Sequence, residues 1–254
     1  MILVLKKKTV AIVASITAIT IIAIAITIGL TNAMAIIISN KKLPIYYVES
    51  VDKKVALTFD AAWGADNTRP IMDILEKNGY KGNFFLTGFW VEKYPELVKE
   101  IHERGHLIAN HSANHLHMND LSNENMLLEM ASVSDAISQI IGYRPKYFRA
   151  PYGEYNDAVI TTAETAGMLS VQWNVDTLDW KGTAASRITD TVQSKAIDGS
   201  IILCHNEAEH IVEALPLIIV TLQNKGLTPV KLDQLILESN FKIEHDGKQV
   251  RLSD

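Results

Sequence analysis

From Val55 onward, short β-forming runs alternate with helical stretches, and a chain with that alternation has few folds open to it. The runs "VALTF" (55–59), "GNFFLTG", "HLIAN" (106–110), "KYFRA", "MLSVQWNV" and "SIILC" read as strands. Helices are expected near Asn67–Lys77, over "PELVKEIHERG", from Ser122 to Ile141, and near Asn156–Ala166, Ala184–Ala196 and Ala208–Lys225. Pro70 and Pro95 sit where helices begin, and Asn78-Gly79 and Gly142 sit where they end. Strands separated by helices of this length pair in parallel through crossover connections. Six or seven such units imply an α/β fold, an irregular (β/α) barrel of about seven parallel strands.

The residues just past the strands are the chemically capable ones. Asp60 follows "VALTF", His111 and His115 follow "HLIAN", and Arg149 ends "KYF" with Pro151-Tyr152 beyond it. Asp176 and Asp179-Trp180 follow "SVQWNV", and His205 follows "SIILC". Taken singly, each has a plain explanation. Two histidines four apart can be a solvated turn, Asp60 or Asp179 a cap, and Arg149 a structural ion-pair partner. Five strands delivering such groups to one end of a barrel is the arrangement from which barrel enzymes build sites. His102, His106, His117, His210 and His245 lack that placement. Met126 and Met130 share a helix face and read as core.

Composition narrows the partners. With 24 basic and 29 acidic side chains the formal charge is −5, which gives no basic face for nucleic acid. Cys204 is the only cysteine, so the chain holds no internal disulfide and no cysteine-based zinc cluster.

Residues 6–8 are lysines, and the 22 residues from 9 to 30 carry no charge. A helix of that length reaches about 33 Å, enough to cross a hydrocarbon core of about 30 Å. Residues 1–39 are therefore expected to be a cytoplasmic basic stub and a single membrane anchor, with everything beyond them outside the cell. "AMA" (33–35) also resembles a cleavage site, which would make the segment a secretory signal. Residues 40–53 read as a linker, 54–240 as the globular domain and 241–254 as a polar tail.

Five short motifs, in order and spread over about 150 residues, resemble those of the polysaccharide deacetylases that share the NodB homology domain, carbohydrate esterase family 4. "TFDAAW" is similar to the family's TFDDG, "HSANH" to H-[ST]-x-x-H, and "RAPYG" to R-x-P-Y. "DTLDW" is similar to D-x-x-D-W, and "LCH" to L-x-H. The stretch "LPIYYVESVDKKVALTFDAAWG" further resembles the sporulation-associated deacetylases of spore-forming bacteria.

The resemblance implies hydrolysis of N-acetyl groups on a cell-wall or other amino-sugar glycan, such as peptidoglycan, spore cortex or a chitin-like polymer. It implies a divalent metal, zinc or an ion such as cobalt, on His111 and His115. Asp60 would be the general base, held ionised by Arg149, and His205 the general acid, oriented by Asp179. The backbone N–H of Tyr152 would meet the oxyanion, while Trp180 and Leu203 would wall the acetyl methyl. Ser112 resembles a loop-holding residue, with no base partner that would make it a nucleophile.

One position departs from the pattern. The family's second aspartate, its third metal ligand, is Ala61 here. Asp66 or water is left to fill the place. Ala61 also supports a different expectation, a membrane-tethered glycan-binding or scaffolding protein with weak or no catalysis. A glycosidase using paired carboxylates such as Asp60 and Asp179 is the third possibility.

Overall fold

The computed structural model describes residues 16, 17, 19–28, 30, 41–50 and 52–252, and the chain divides into two compact units, Met1–Lys41 and Lys42–Asp254. In the first unit, residues 19–28 are helical. Among the described residues no helix is long and apolar enough to cross a membrane. The expected anchor also takes in residues 9–15, 18 and 29, which lie outside the described residues.

The second unit is an α/β fold. Its strands are β1 (Tyr47–Val48), β2 (Lys54–Ala61), β3 (Asn83–Leu86), β4 (Leu107–Asn110), β5 (Tyr147–Phe148) and β6 (Leu169–Ser170). Then come β7 (Val175–Asp176), β8 (Ile201–His205), β9 (Thr228–Pro229), β10 (Phe241–Ile243) and β11 (Lys248–Arg251). The helices are α1 (Thr68–Lys77), α2 (Gly88–Lys93), α3 (Pro95–Glu103), α4 (Asn123–Ile141), α5 (Asp157–Thr165), α6 (Ala185–Lys195) and α7 (Ile211–Asn224). Seven parallel strands line up as β6-β5-β4-β3-β2-β8-β7, and β9 adds onto the start of β2.

The expected barrel is open, because β6 and β7 are the two edges of this order. The single strand expected over "MLSVQWNV" is in fact both of them, joined by residues 171–174. A flat sheet would hold edges six strand spacings apart, ~29 Å. Five residue steps reach at most ~18 Å. The sheet must therefore curl until its edges nearly meet, which turns the strand ends of β2, β4, β5, β7 and β8 toward one mouth.

Local signals place the helices within a residue or two of expectation at most ends. Ser122 caps α4 by accepting from the Asn125 N–H at 3.3 Å, and Asn156 caps α5 by accepting from the Val159 N–H at 3.0 Å. Gly142 ends α4 at φ 80°. The core lies between sheet and helices, where Leu57, Phe59, Phe84 and Leu86 meet helix residues such as Ile71, Leu75, Ile188 and Ile218. The segments expected as linker and polar tail supply β1, β10 and β11, a small three-stranded sheet. Its buried apolar members, Val48 and Val250, with the buried Gln249 beside Val250, come from segments too short to read in advance.

Gly199 shows what the join between β1 and the barrel demands. Its N–H donates to Lys54 O at 2.8 Å and its carbonyl accepts from Val48 N at 3.0 Å. At φ +83° an added Cβ would lie 1.7 Å from Val48 O. Gly142 has similar φ but open space around it. Gly199→Ala should therefore lose at least about 2 kcal/mol, and Gly142→Ala about 1 kcal/mol, in denaturant unfolding. Equal losses would show that the contact with Val48 does not matter.

Candidate active site

Asp60 and His205 are direct partners in the β2–β8 ladder, so parallel pairing alone sets their side chains next to each other at the mouth. Beneath them Arg149, fully buried, donates from Nη1 to Asp60 Oδ1 at 2.6 Å and from Nη2 to Thr58 Oγ1 at 3.0 Å. Thr58 and Asp60 share the inner face of β2, because side chains alternate along a strand. Burial by itself would raise the Asp60 pKa. The charges of Arg149, His111 and His205 and the Arg149 hydrogen bond outweigh it and hold the carboxyl below its usual value.

Asp179, also fully buried, grips His205 twice. Its Oδ1 lies 2.7 Å from the ring Nδ1, and its Oδ2 accepts from the His205 backbone N–H at 2.8 Å. Burial opposes charge on this ring, but the hydrogen bond and charge of Asp179, helped by Asp60 and Asp176, raise its pKa above 6.5. Nδ1 is held by Asp179, so Nε2 is the nitrogen that can pass a proton to a substrate.

The opposite wall holds His111 and His115. His111 Nδ1 lies 2.8 Å from Arg149 O, a pure acceptor, so Nδ1 carries the proton and Nε2 presents its lone pair. That Nε2 is 3.5 Å from Asp60 Oδ2. The His115 ring stands 5.0 Å from the His111 ring, and its Nδ1 is buried without a hydrogen-bond partner. Burial, with the nearby His111 charge, pushes His115 down to about 4, and burial lowers His111 as well. Both rings are neutral near pH 7 and carry free lone pairs.

The loop bearing them is strained, with Ser112 at φ 66° and His115 at φ 53°. Ser112 Oγ accepts from the His115 N–H at 3.1 Å, which is the loop-holding role expected of it. Sequence reasoning missed three further supports. Asn110 anchors the loop start to α4 through Met130 O and Ser134 Oγ. Glu129 accepts from Asn114 N at 2.8 Å and Asn114 Nδ2 at 2.6 Å. His117, set aside earlier, stacks on Tyr152 at 4.2 Å and meets Glu154 at 2.9 Å. The asparagines of "NHSANH" were the available signal.

All nine expected site residues reach this one place. Tyr152, Trp180 and Leu203 line a cleft of about 710 Å³ together with Asp60, His111, His115 and His205, while Arg149 and Asp179 lie behind it. Ala61 does not. It is fully buried with Phe59 and Leu86 in the apolar core behind the sheet. Asp66 lines a separate cavity with Arg69 and Lys93, and its N–H donates to Glu207, so it does not take the missing place. Among the described residues no group of three His, Cys, Asp or Glu side chains is arranged to hold a metal ion. What exists is a half-site. Two neutral imidazoles, one with an unpartnered buried nitrogen, suit a divalent cation such as zinc or cobalt, with the remaining positions open to water or substrate.

An open (β/α) barrel whose mouth pairs an ionised carboxylate and an imidazole of raised pKa with two neutral imidazoles is the site of a hydrolase in form. The comparisons say which. Residues 48–171 match the family model described as polysaccharide deacetylase. A peptidoglycan-N-acetylglucosamine deacetylase of Bacillus cereus is 35% identical over 190 residues, covering 73% of this chain and 69% of that protein. The solved Bc1960 peptidoglycan N-acetylglucosamine deacetylase superposes with a TM-score of 0.74 at 33% identity, over 77% of this chain and 93% of that one. The structure of BA3943 of Bacillus anthracis, described as a pseudoenzyme of carbohydrate esterase family 4, superposes with a TM-score of 0.73 at 28% identity, over 84% of this chain and 73% of that one. The chain belongs to the polysaccharide deacetylase family.

The Asp179 grip on His205 has a measurable sign. A raised folded pKa stabilises the protein below the ordinary value of 6.5, and that contribution is lost as pH rises through the folded value. Asp179→Asn should move the His205 ring titration, followed by NMR, to lower pH and flatten this dependence. An unmoved midpoint would show that Asp179 does not set it.

Proposed function

We propose that the protein hydrolyses N-acetyl groups on an amino-sugar polymer of the cell wall, releasing acetate and leaving the free amine. The observation that carries this is the ladder pairing of Asp60 with His205 inside one cleft with His111 and His115. Peptidoglycan is the substrate class in the names of the B. cereus relative and the Bc1960 structure, and spore cortex is its form suggested by the sporulation-type sequence from Leu43 to Gly64.

In this mechanism Asp60 takes a proton from the attacking water as that water adds to the acetamide carbon. Its Oδ1 is held by Arg149, so Oδ2 is the oxygen free to accept. The backbone N–H of Tyr152, whose φ is 61°, would meet the developing oxyanion, the role that the family resemblance implies for it. His205 Nε2–H then protonates the nitrogen as its bond to carbon breaks, a role suited to an imidazole whose protonated form Asp179 stabilises. Leu203 and Trp180 exclude water around the methyl group. A divalent cation on His111 and His115 would polarise the carbonyl and acidify water.

The apolar stretch 9–30 supports an extracytoplasmic location for the domain, held by a membrane anchor or released by cleavage. A neutral or anionic wall polymer lies on that side.

Asp60→Asn and His205→Ala should each lower acetate release from an N-acetylated glycan by about 10²–10⁴-fold, with the fold intact by circular dichroism. His111→Ala should weaken binding of zinc in a titration without unfolding the domain. Near-normal turnover in both acid–base variants would refute the assignment. New reducing ends in place of acetate would indicate a glycosidase. Glycan binding with neither product would indicate the scaffolding alternative that Ala61 raised.

A further inference from the structure

Trp63 has no role in the chemistry above, yet it is the most solvent-exposed tryptophan that lines the cleft, 65% exposed. Its backbone is fixed. The next residue, Gly64, turns at φ +67°, and its carbonyl accepts from Trp90 Nε1 at 2.7 Å and Asn206 Nδ2 at 3.2 Å. A Cβ at Gly64 would lie 2.5 Å from the Glu207 side chain, so the turn is packed as well as bonded. The indole is braced by Phe89, 6.0 Å away, and by His115, 5.0 Å away and tilted 64°. A rigid mount carrying an open aromatic face is a preorganised binding surface.

Two features say what fits that face. The negative face of an indole attracts the weakly positive C–H bonds that cover one side of a pyranose ring. Besides Asp60, whose charge Arg149 compensates, the cleft wall contributes the carboxylates of Asp176, Glu207 and Glu209 and no lysine or arginine, and Glu207 flanks the turn itself. Such a wall repels a negatively charged sugar.

We propose that Trp63 is a stacking platform for an uncharged N-acetylhexosamine ring, one sugar away from the ring whose acetamide reacts. Trp63 lies beyond His115, which stands 5.0 Å from His111, itself 3.5 Å from Asp60. Two imidazole rings thus stand in the succession of contacts from the indole to the base. The platform therefore makes the protein prefer a neutral ring at this position, N-acetylglucosamine or a muramic acid whose carboxylate is tied up as a peptide amide, over a muramic acid with a free carboxylate. The inference rests on the deacetylase reading for its reacting ring, but its binding is separable from turnover.

Calorimetric titration of the full chain, with a chelator present to stop turnover, tests it. The probes are N-acetylglucosamine monomer, N-acetylglucosamine tetramer and a peptide-free oligomer containing N-acetylmuramic acid. Trp63→Ala should weaken tetramer binding about tenfold, Trp63→Phe should retain most of it, and the monomer should be unaffected by either. The muramic oligomer should bind more weakly than the tetramer, and Glu207→Gln or added salt should narrow that gap. Unchanged tetramer binding in Trp63→Ala, or no tetramer binding by the wild type, overturns the platform. An equal loss for the monomer overturns its placement. A loss of zinc affinity with glycan binding intact would make Trp63 a brace for His115 instead. If the wild type binds tetramer but releases no acetate with zinc restored, the deacetylase reading fails and the platform stands.

Discussion

The contact on which the rest depends is the buried ion pair of Arg149 with Asp60. The guanidinium lies inside the curled sheet and ties together strands that are not neighbours. It bonds Asp60 and Thr58 on β2, the carbonyls of Val171 and Gln172 just after β6, and lies 3.9 Å from the Phe85 ring on β3. The chain just beyond the β6 edge is thus tied from within to β2 by one side chain. Leaving either charge buried without the other costs about 3–5 kcal/mol. The same pair keeps Asp60 ionised, so closing the barrel and preparing its base are one interaction. Arg is suited to this because its charge persists under burial and its planar fork reaches several acceptors at once.

Around that pair, three histidines within one cleft are driven to different states by their neighbours alone. His111 and His115 are desolvated with little compensation and stay neutral, ready to donate lone pairs. His205 is more open to solvent than His111 but still loses hydration, and Asp179 supplies both a hydrogen bond and a charge that tip it the other way. Two imidazoles suited to a cation and one suited to giving up a proton can then coexist at one pH.

Much of this was legible in the sequence, for reasons that differ by element. Helices with proline starts and glycine ends were plain because caps are local. The rim residues were plain because each follows a strand directly. The split of "MLSVQWNV" into β6 and β7 was hidden, since a continuous apolar run gives no sign of where it crosses from one sheet edge to the other. β1 and β11 were hidden because two-to-four-residue strands acquire meaning only when distant partners meet. The vacancy at Ala61 was visible, but not its surroundings. Ala61 pairs with Leu86 in the ladder, its carbonyl accepts from Thr87 N, and its methyl is enclosed in the apolar core. Asp66, near in sequence, is directed elsewhere by the turn that Gly64 and Glu207 fix.

The backbone shows where that turn and its counterparts concentrate strain. Of the six non-glycine residues with positive φ among the described residues, four sit in the loops of the rim: Ser112, His115, Tyr152 and Leu178. Each costs on the order of 1–2 kcal/mol relative to ordinary backbone. Each is held by a specific partner. Ser112 and His115 brace one another, with Glu129 behind them; His117 stacks on Tyr152; and Leu178 is fixed by Asp176 through its N–H and by Thr183 through its carbonyl. The partners of the histidine loop belong to α4, whose apolar face is buried against the barrel and against α5. Stability gained where the sequence is regular is thus spent where it is irregular, and the mouth of the barrel arrives at its working geometry before any ligand does.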